Sequence, residues 1–420
     1  YKPSTGVGIP FRWPSNPSSP SSSELDVSQS SALDADPSTG TADGQGAARL
    51  NYLRGDTSNV SFRTRSSVLG DIISSAPVFV GAPNMPYPDM WGASAPENSA
   101  AYSAFKNNTT YKNRTPMVYV GANDGMLHGF RSSDGTETFA YVPSKTFANL
   151  NRLTDSNYNH RFYVDGPVNV VDAYLGSSLG WRSVLAGSLG SGGQGIYALD
   201  VSVPPSSGGG GESGITNSVL WEFTDADDAD LGRTFGMVNV VRMHNGKWAG
   251  VFGNGYNNTE TDSAISATGN AVLYIVDLET GALIKKLDTG KGTADDPTGL
   301  ARPNGLASPA VIDKDGDFIA DYIYAGDLYG NLWKFDVTDT SVSNWDSAYL
   351  DGSLNPQPLF VARDAGGNAQ SITTTPQVGI HPLGLNQGVV VYFGTGKFIE
   401  TSDNTQVGQT TQSFYGVWDK

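Results

Sequence analysis

From Leu50 onward the chain repeats one pattern: a short apolar run rich in β-branched and aromatic residues, then a turn bearing Gly, Asn or Asp. Such runs include APVFVGAP at 76–83, MVYVGANDGMLHGF at 117–130 and SVLAGSLGSGGQGIYALDV at 183–201. WAGVFGNGYNN at 248–258, AVLYIVDLETGALIKKLDT at 271–289, DYIYAGDLYGNLWKFDV at 321–337 and VVVYFGTGKFIE at 389–400 follow. Runs of this length bounded by turn formers predict β-strands. Helical periodicity is nearly absent, and SKTFANLNRL at 144–153 is the best short helix candidate. Residues 1–48 are poor in large apolar groups and rich in Ser, Pro and Gly, which predicts a flexible or irregular lead-in to a strand-rich domain over 49–420.

The runs resemble one another. VYVGANDGMLHGF and IYAGDLYGNLWKFD share a strand ending in Gly, a tight turn, and a strand carrying Leu and an aromatic residue. Each is a hairpin with one apolar face, which a lone hairpin cannot bury, so copies must stack. Strand-rich repeats of about 40–50 residues predict an all-β chain, a modified β-propeller of about seven blades with long inserted loops. A pair of β-sandwiches or a β-helix is the alternative, kept open by unequal spacing and by inserts such as SVPPSSGGGGESGITNS at 202–218.

Composition narrows the function. The net charge of -16 argues against nucleic acid, whose phosphates need a basic field, and suits a cation. The absence of cysteine removes disulfides, thiolate zinc sites and cysteine nucleophiles. No apolar run approaches the roughly 18 residues of a membrane helix. The chain begins at Tyr1 without Met or a signal-peptide pattern, which reads as a processed or cut product.

The most concentrated chemistry is DKDGDFIAD at 313–321, with Asp at positions 1, 3, 5 and 9. Carboxylates this close repel one another unless a positive charge sits among them. Calcium takes six to eight oxygens from alternate positions of a short loop. The predicted ligands are the side chains of Asp313, Asp315 and Asp317, the backbone carbonyl of Ile319, and Asp321. Position 12 is Tyr324 rather than Glu, and the flanking ASPAVI and YIYAG read as strands, so this is no helix–loop–helix EF-hand. The glycine usual at position 6 is replaced by Phe318, with Gly316 two residues earlier, and a non-glycine at positive φ is costly. Magnesium fits less well, since it rarely uses an all-protein cage.

Other features weigh less. TDADDADLG at 224–232 holds Asp225, Asp227, Asp228 and Asp230, but its alternation is broken; a solvated loop is expected rather than a second ion site. The tripeptide Arg54–Gly55–Asp56 matches an integrin-binding motif, yet it reads more simply as charges paired within the chain. His128, His160, His244 and His381 are scattered, which suggests structural hydrogen bonding. GSLGSGGQG at 187–195 lacks the Lys-Ser/Thr of a phosphate cradle and reads as a turn.

Taken in order, NYLRGD, FRTRSSVLGDIISSAPVFVG, MVYVGANDGMLHGF, FYVDGPVNVVDAY, FGNGYNN and GTGKFIE…QSFYGVWD give the chain a resemblance, over residues 50–420, to the PilC/PilY family of type IV pilus tip-associated adhesins and assembly factors. The resemblance implies a modified seven-bladed propeller whose Asp-rich calcium loop, implicated in switching pilus retraction, matches 313–321 apart from the misplaced glycine. It implies no enzymatic activity, minor pilins and pilus assembly machinery as partners, contact with a host-cell or abiotic surface, and a place on the cell surface at the pilus tip or outer membrane. Pilus extension, twitching motility and adhesion are the functions it suggests. Two other readings stand beside it. AVLYIVDLETGALIKKLDT has the look of a repeat in quinoprotein dehydrogenases, although vicinal cysteines are lacking and recurrent Trp docking residues are not evident. A carbohydrate-binding propeller is the third.

Overall fold

The computed structural model describes residues 1–420 except 206–210, 261–263, 385–386 and 406–409. Part of the 202–218 insert therefore lies outside the described residues. Each apolar run named above forms strands, because its branched and aromatic side chains fit a pleated, half-buried surface. The chain divides into two compact units, Tyr1–Thr224 and Asp225–Lys420.

The first unit holds two four-stranded antiparallel sheets. One is β1 (Val78–Val80), β2 (Met117–Gly121), β3 (Leu127–Arg131) and β4 (Glu137–Tyr141), in that order. The other is β5 (Val168–Tyr174), β6 (Trp181–Ser188), β7 (Gly195–Asp200) and β8 (Val219–Thr224). Met117, Tyr119, Leu127, Leu185 and Leu199 pack into one buried cluster. The helix candidate at 144–153 is helical in three short turns, Ser144–Thr146, Phe147–Leu150 and Asn151–Thr154.

The second unit holds three sheets. β9 (Asn239–Arg242), β10 (Trp248–Gly253), β11 (Val272–Asp277) and β12 (Leu283–Asp288) form one. β13 (Ala310–Ile312), β14 (Tyr322–Gly326), β15 (Asn331–Asp336) and β16 (Asp346–Ser347) form the next, with β17 (Phe360–Val361) also paired to β15. β18 (Gln377–Ile380), β19 (Val389–Gly394) and β20 (Phe414–Asp419) form a three-stranded sheet. Val251, Ile275, Ile323, Trp333 and Phe335 lie in one buried cluster of this unit, and Tyr324, Leu332, Val391 and Phe393 in another.

These sequential antiparallel meanders are the repeating element of propellers. Five sheets lie among the described residues, where dividing 60–420 by a repeat length anticipates about seven. The inserts absorb the difference: residues 81–116 and 142–167 hold helical turns and irregular chain but no strand.

The lead-in corrects an expectation. Residues 1–48, read as flexible or irregular, carry helix α1 (Val27–Asp34) and the start of α2 (Gly46–Leu53). Asp26 caps α1 and Gln29 returns the bond to the Asp26 N–H, a reciprocal capping box. Leu25, Leu33 and Leu50 are buried with Met126, Val142, Phe147 and Leu150. Buried Arg49 pairs with Asp43 and donates to the Leu33 carbonyl at 3.0 Å. A few leucines suffice because each of them reaches the same core.

Candidate metal centre

The acidic loop is closed at its base by the β13–β14 ladder, where Ile312 faces Tyr322. Within it the backbone folds around the first carboxylate. Asp313 accepts from the N–H groups of Gly316 (2.7 Å), Asp317 (3.2 Å) and Phe318 (2.8 Å). Asp315 accepts from Asp317 N–H at 3.2 Å, and Asp317 from Ile319 N–H at 2.8 Å. These turns bring one oxygen each of Asp313, Asp315 and Asp317 to within 4.8 Å of one another. All three side chains are exposed, so an ion has access.

The electrostatics follow from that convergence. Partial burial raises the Asp317 pKa, and the charges of Asp315, Asp313 and Asp321 push the same way, against the Ile319 N–H. A cation would relieve this repulsion, and three carboxylate oxygens are the donors a hard divalent ion prefers.

Asp321 stands apart from the three. It is buried, with one oxygen 2.8 Å from His244 Nε2 and the other accepting from Lys314 N–H at 2.7 Å. Ile319 lies in a bridge to Arg242, and Ala320 N–H donates to the Arg242 carbonyl at 2.9 Å. Of the five sequence-predicted ligands the structure thus gathers three, turns Asp321 toward His244, and ties Ile319 to the end of β9. His244 was not singled out as part of the loop, since 77 residues separate it from Asp321. Phe318 takes the left-handed conformation with φ 68°, and Gly316 also has positive φ at 84°. The chain keeps a left-handed residue at position 6 and places a phenylalanine in it.

The second acidic stretch has a different solution. Lys286 Nζ lies 2.8 and 2.9 Å from the two oxygens of Asp228 and 2.6 Å from Asp230. Tyr274 OH donates to Asp228 at 2.9 Å, and Ser266 donates to Asp230. Burial raises the Asp228 pKa, but Lys286, the Asp230 N–H and Tyr274 bring it down overall. Asp225 is buried. A lysine ammonium therefore sits where a second metal ion was considered.

Both ends of the Arg54–Gly55–Asp56 tripeptide bond within the chain. Arg54 pairs with Glu212 and donates to the Phe11 carbonyl at 3.0 Å, while Asp56 accepts from Ser58 N–H at 2.8 Å. Three histidines pair with carboxylates: His128 with Asp124 and Glu137, His160 with Asp71, His244 with Asp321. His381 stacks on Trp418 at 4.9 Å.

The sequence model described as the PilY1 beta-propeller domain matches residues 69–420, most of the chain. The chain belongs to the PilY1 β-propeller family. It is 43% identical over 416 residues to type IV pilus biogenesis factor PilY1 of Pseudomonas aeruginosa strain PAK, covering 94% of this chain and 33% of that protein. A PilY1 homolog of Xylella fastidiosa is 41% identical over 381 residues, covering 88% of this chain and 24% of the homolog. The chain spans about a third or less of the length of these PilY1 relatives. The crystal structure of the P. aeruginosa PilY1 C-terminal domain is similar with a TM-score of 0.64 at 39% identity, covering 81% of this chain and 64% of that one.

Proposed function

We propose that this chain is the calcium-responsive propeller part of a type IV pilus biogenesis factor, acting on the cell surface without enzymatic chemistry. The observation that carries the calcium reading is the convergence of Asp313, Asp315 and Asp317 in a loop whose base the β13–β14 ladder closes. Those three carboxylates would hold the ion, the Ile319 carbonyl would add an oxygen from the same loop, and Asp321 would join them only on turning away from His244. Bound calcium would supply positive charge and fix one conformation of the loop. By linkage, calcium favours whichever partner contacts need that conformation. Family membership supports pilus assembly machinery and minor pilins as those partners, and pilus extension against retraction, twitching motility and surface adhesion as the outcome.

The test is calorimetry with calcium on the wild type and Asp317→Ala, joined to thermal melts with and without chelator. Calcium at about 100 times its Kd is expected to stabilise the wild type by about 2.7 kcal/mol. Asp317→Ala is expected to lose the heat of binding and the shift together. If that variant binds calcium like the wild type and still supports calcium-dependent piliation, the proposal fails. Binding of purified minor pilins in calcium and in chelator tests the partner side, and equal binding in both would detach the loop from assembly.

A further inference from the structure

The segment FRTRSS at 62–67 belongs to no strand or helix, yet it is fixed in place. Arg63 N–H donates to the Thr154 carbonyl at 3.0 Å, and the Arg63 carbonyl accepts from Tyr52 OH at 3.0 Å. Each arginine side chain is laid on an aromatic ring. The Arg63 guanidinium lies 4.0 Å from the centroid of Tyr158, and that of Arg65 lies 4.1 Å from Tyr52. Stacking of this kind orients a guanidinium and leaves its edge for hydrogen bonding.

That edge is largely unused. Arg65 donates to the Tyr52 carbonyl, and Arg63 makes no side-chain hydrogen bond among the described residues. The Nε of each is shut off from solvent without a partner, and no ion pair to either arginine occurs among the described residues. Both line one cleft of about 370 Å³, together with Thr64, Ser66 and Ser67.

Two acids also line the cleft, but both are already engaged. Asp124 accepts from Gly70 N–H at 2.7 Å and takes His128 Nε2 at 3.0 and 3.1 Å on its two oxygens. Asp71 takes His160 Nε2 at 2.8 Å. Burial pulls the Arg65 pKa down, the Tyr52 and Asp124 charges oppose it, and the neighbouring Arg63 charge adds a smaller downward push.

We infer that the Arg63–Arg65 cleft binds a phosphate-type oxyanion. The donors decide the class. The terminal N–H groups that the two guanidiniums have left and three hydroxyls offer more hydrogen bonds than a carboxylate can accept, and they suit a group with three acceptor oxygens and a double charge. The cleft is of small-ligand size, with space for a sugar-sized group attached to the phosphate.

The site is tested by calorimetry and thermal melting of the full 420-residue chain with two probes, inorganic phosphate and glucose 1-phosphate. Sodium chloride at matched ionic strength is the control. Chelator is present throughout, so the outcome does not depend on the 313–321 loop. Saturable binding of phosphate is expected, with a rise in melting temperature that chloride does not give. Equal affinity for both probes assigns the site to the free oxyanion, and tighter binding of the sugar phosphate assigns the remaining space to the sugar. Arg63→Gln is expected to weaken binding by about tenfold or more, as the loss of a charged hydrogen-bonding partner does. Ser67→Glu, at an exposed position, puts a carboxylate at the cleft and should do the same even if Arg63→Gln folds poorly. Absence of saturable binding to both probes, or binding unchanged in these variants, overturns the inference.

Discussion

Phe318 holds a conformation that L-residues with large side chains rarely adopt, at φ 68°. The left-handed region costs an ordinary residue about 1–2 kcal/mol, and glycine almost nothing. Substitution by glycine and by alanine removes the same ring, so the difference between the two variants isolates the backbone. Phe318→Gly is expected to be more stable than Phe318→Ala by about 1 kcal/mol, the reverse of the order in an ordinary strand or helix. Thermal melts in chelator check this, and equal melting would mean the loop relaxes out of the left-handed region once the ring is gone. His128 gives a second test. Burial lowers its pKa, but hydrogen bonds to Asp124 and Glu137 more than reverse this and raise it to about 9. A raised histidine pKa stabilises the fold fully below the unfolded value of about 6.5, and that stabilisation is lost as pH climbs through about 9. The wild type should lose stability between pH 7 and pH 9.5, and His128→Gln should show a flatter profile over that range.

Hairpins are where sequence and structure agree best. The β14–β15 turn is organised by Asp327, which is fully buried. It accepts from Tyr329 and Asn331 N–H (both 2.9 Å), Asn304 and Asn331 Nδ2 (3.0 and 2.8 Å) and Trp333 Nε1 (2.9 Å). Burial raises its pKa, and those donors oppose the shift. Asp327→Ala should therefore cost about 3 kcal/mol or more by stranding several buried donors, measured as a lower urea midpoint. Asp327→Asn should also destabilise, since its amide nitrogen must face donors. The strands on either side were legible because alternation and a glycine turn are local signals. The loop carboxylates were legible for the same reason, since the spacing of Asp313, Asp315 and Asp317 sets their convergence. The pairing of Asp321 with His244, and of Lys286 with Asp228 58 residues away, depends on strands meeting and leaves no local mark. The helices of the first 48 residues were missed because Leu25 and Leu33 stand alone among serines, and only the core they reach makes them informative.

At the scale of the whole chain, the net charge of -16 surrounds the acidic loop with a field that concentrates cations. The Debye length falls from about 30 Å at 0.01 M salt to about 8 Å at 0.15 M. Calcium affinity should therefore drop as sodium chloride is raised over that range, and calorimetry at several salt concentrations checks it. Affinity that does not change with salt would mean that the distant carboxylates contribute nothing. The two acidic stretches of Asp225–Lys420 also differ in where their positive charge comes from. Lys286 is a built-in counterion for Asp228 and Asp230, attached to the backbone and present in any medium. Asp313, Asp315 and Asp317 make no ion pair among the described residues, since the Lys314 ammonium lies 5.6 Å from the centroid of the Tyr322 ring, and under the calcium reading their counterion is exchangeable and comes from outside. One stretch is indifferent to the surroundings, and the other, under the calcium reading, reports their divalent-ion content.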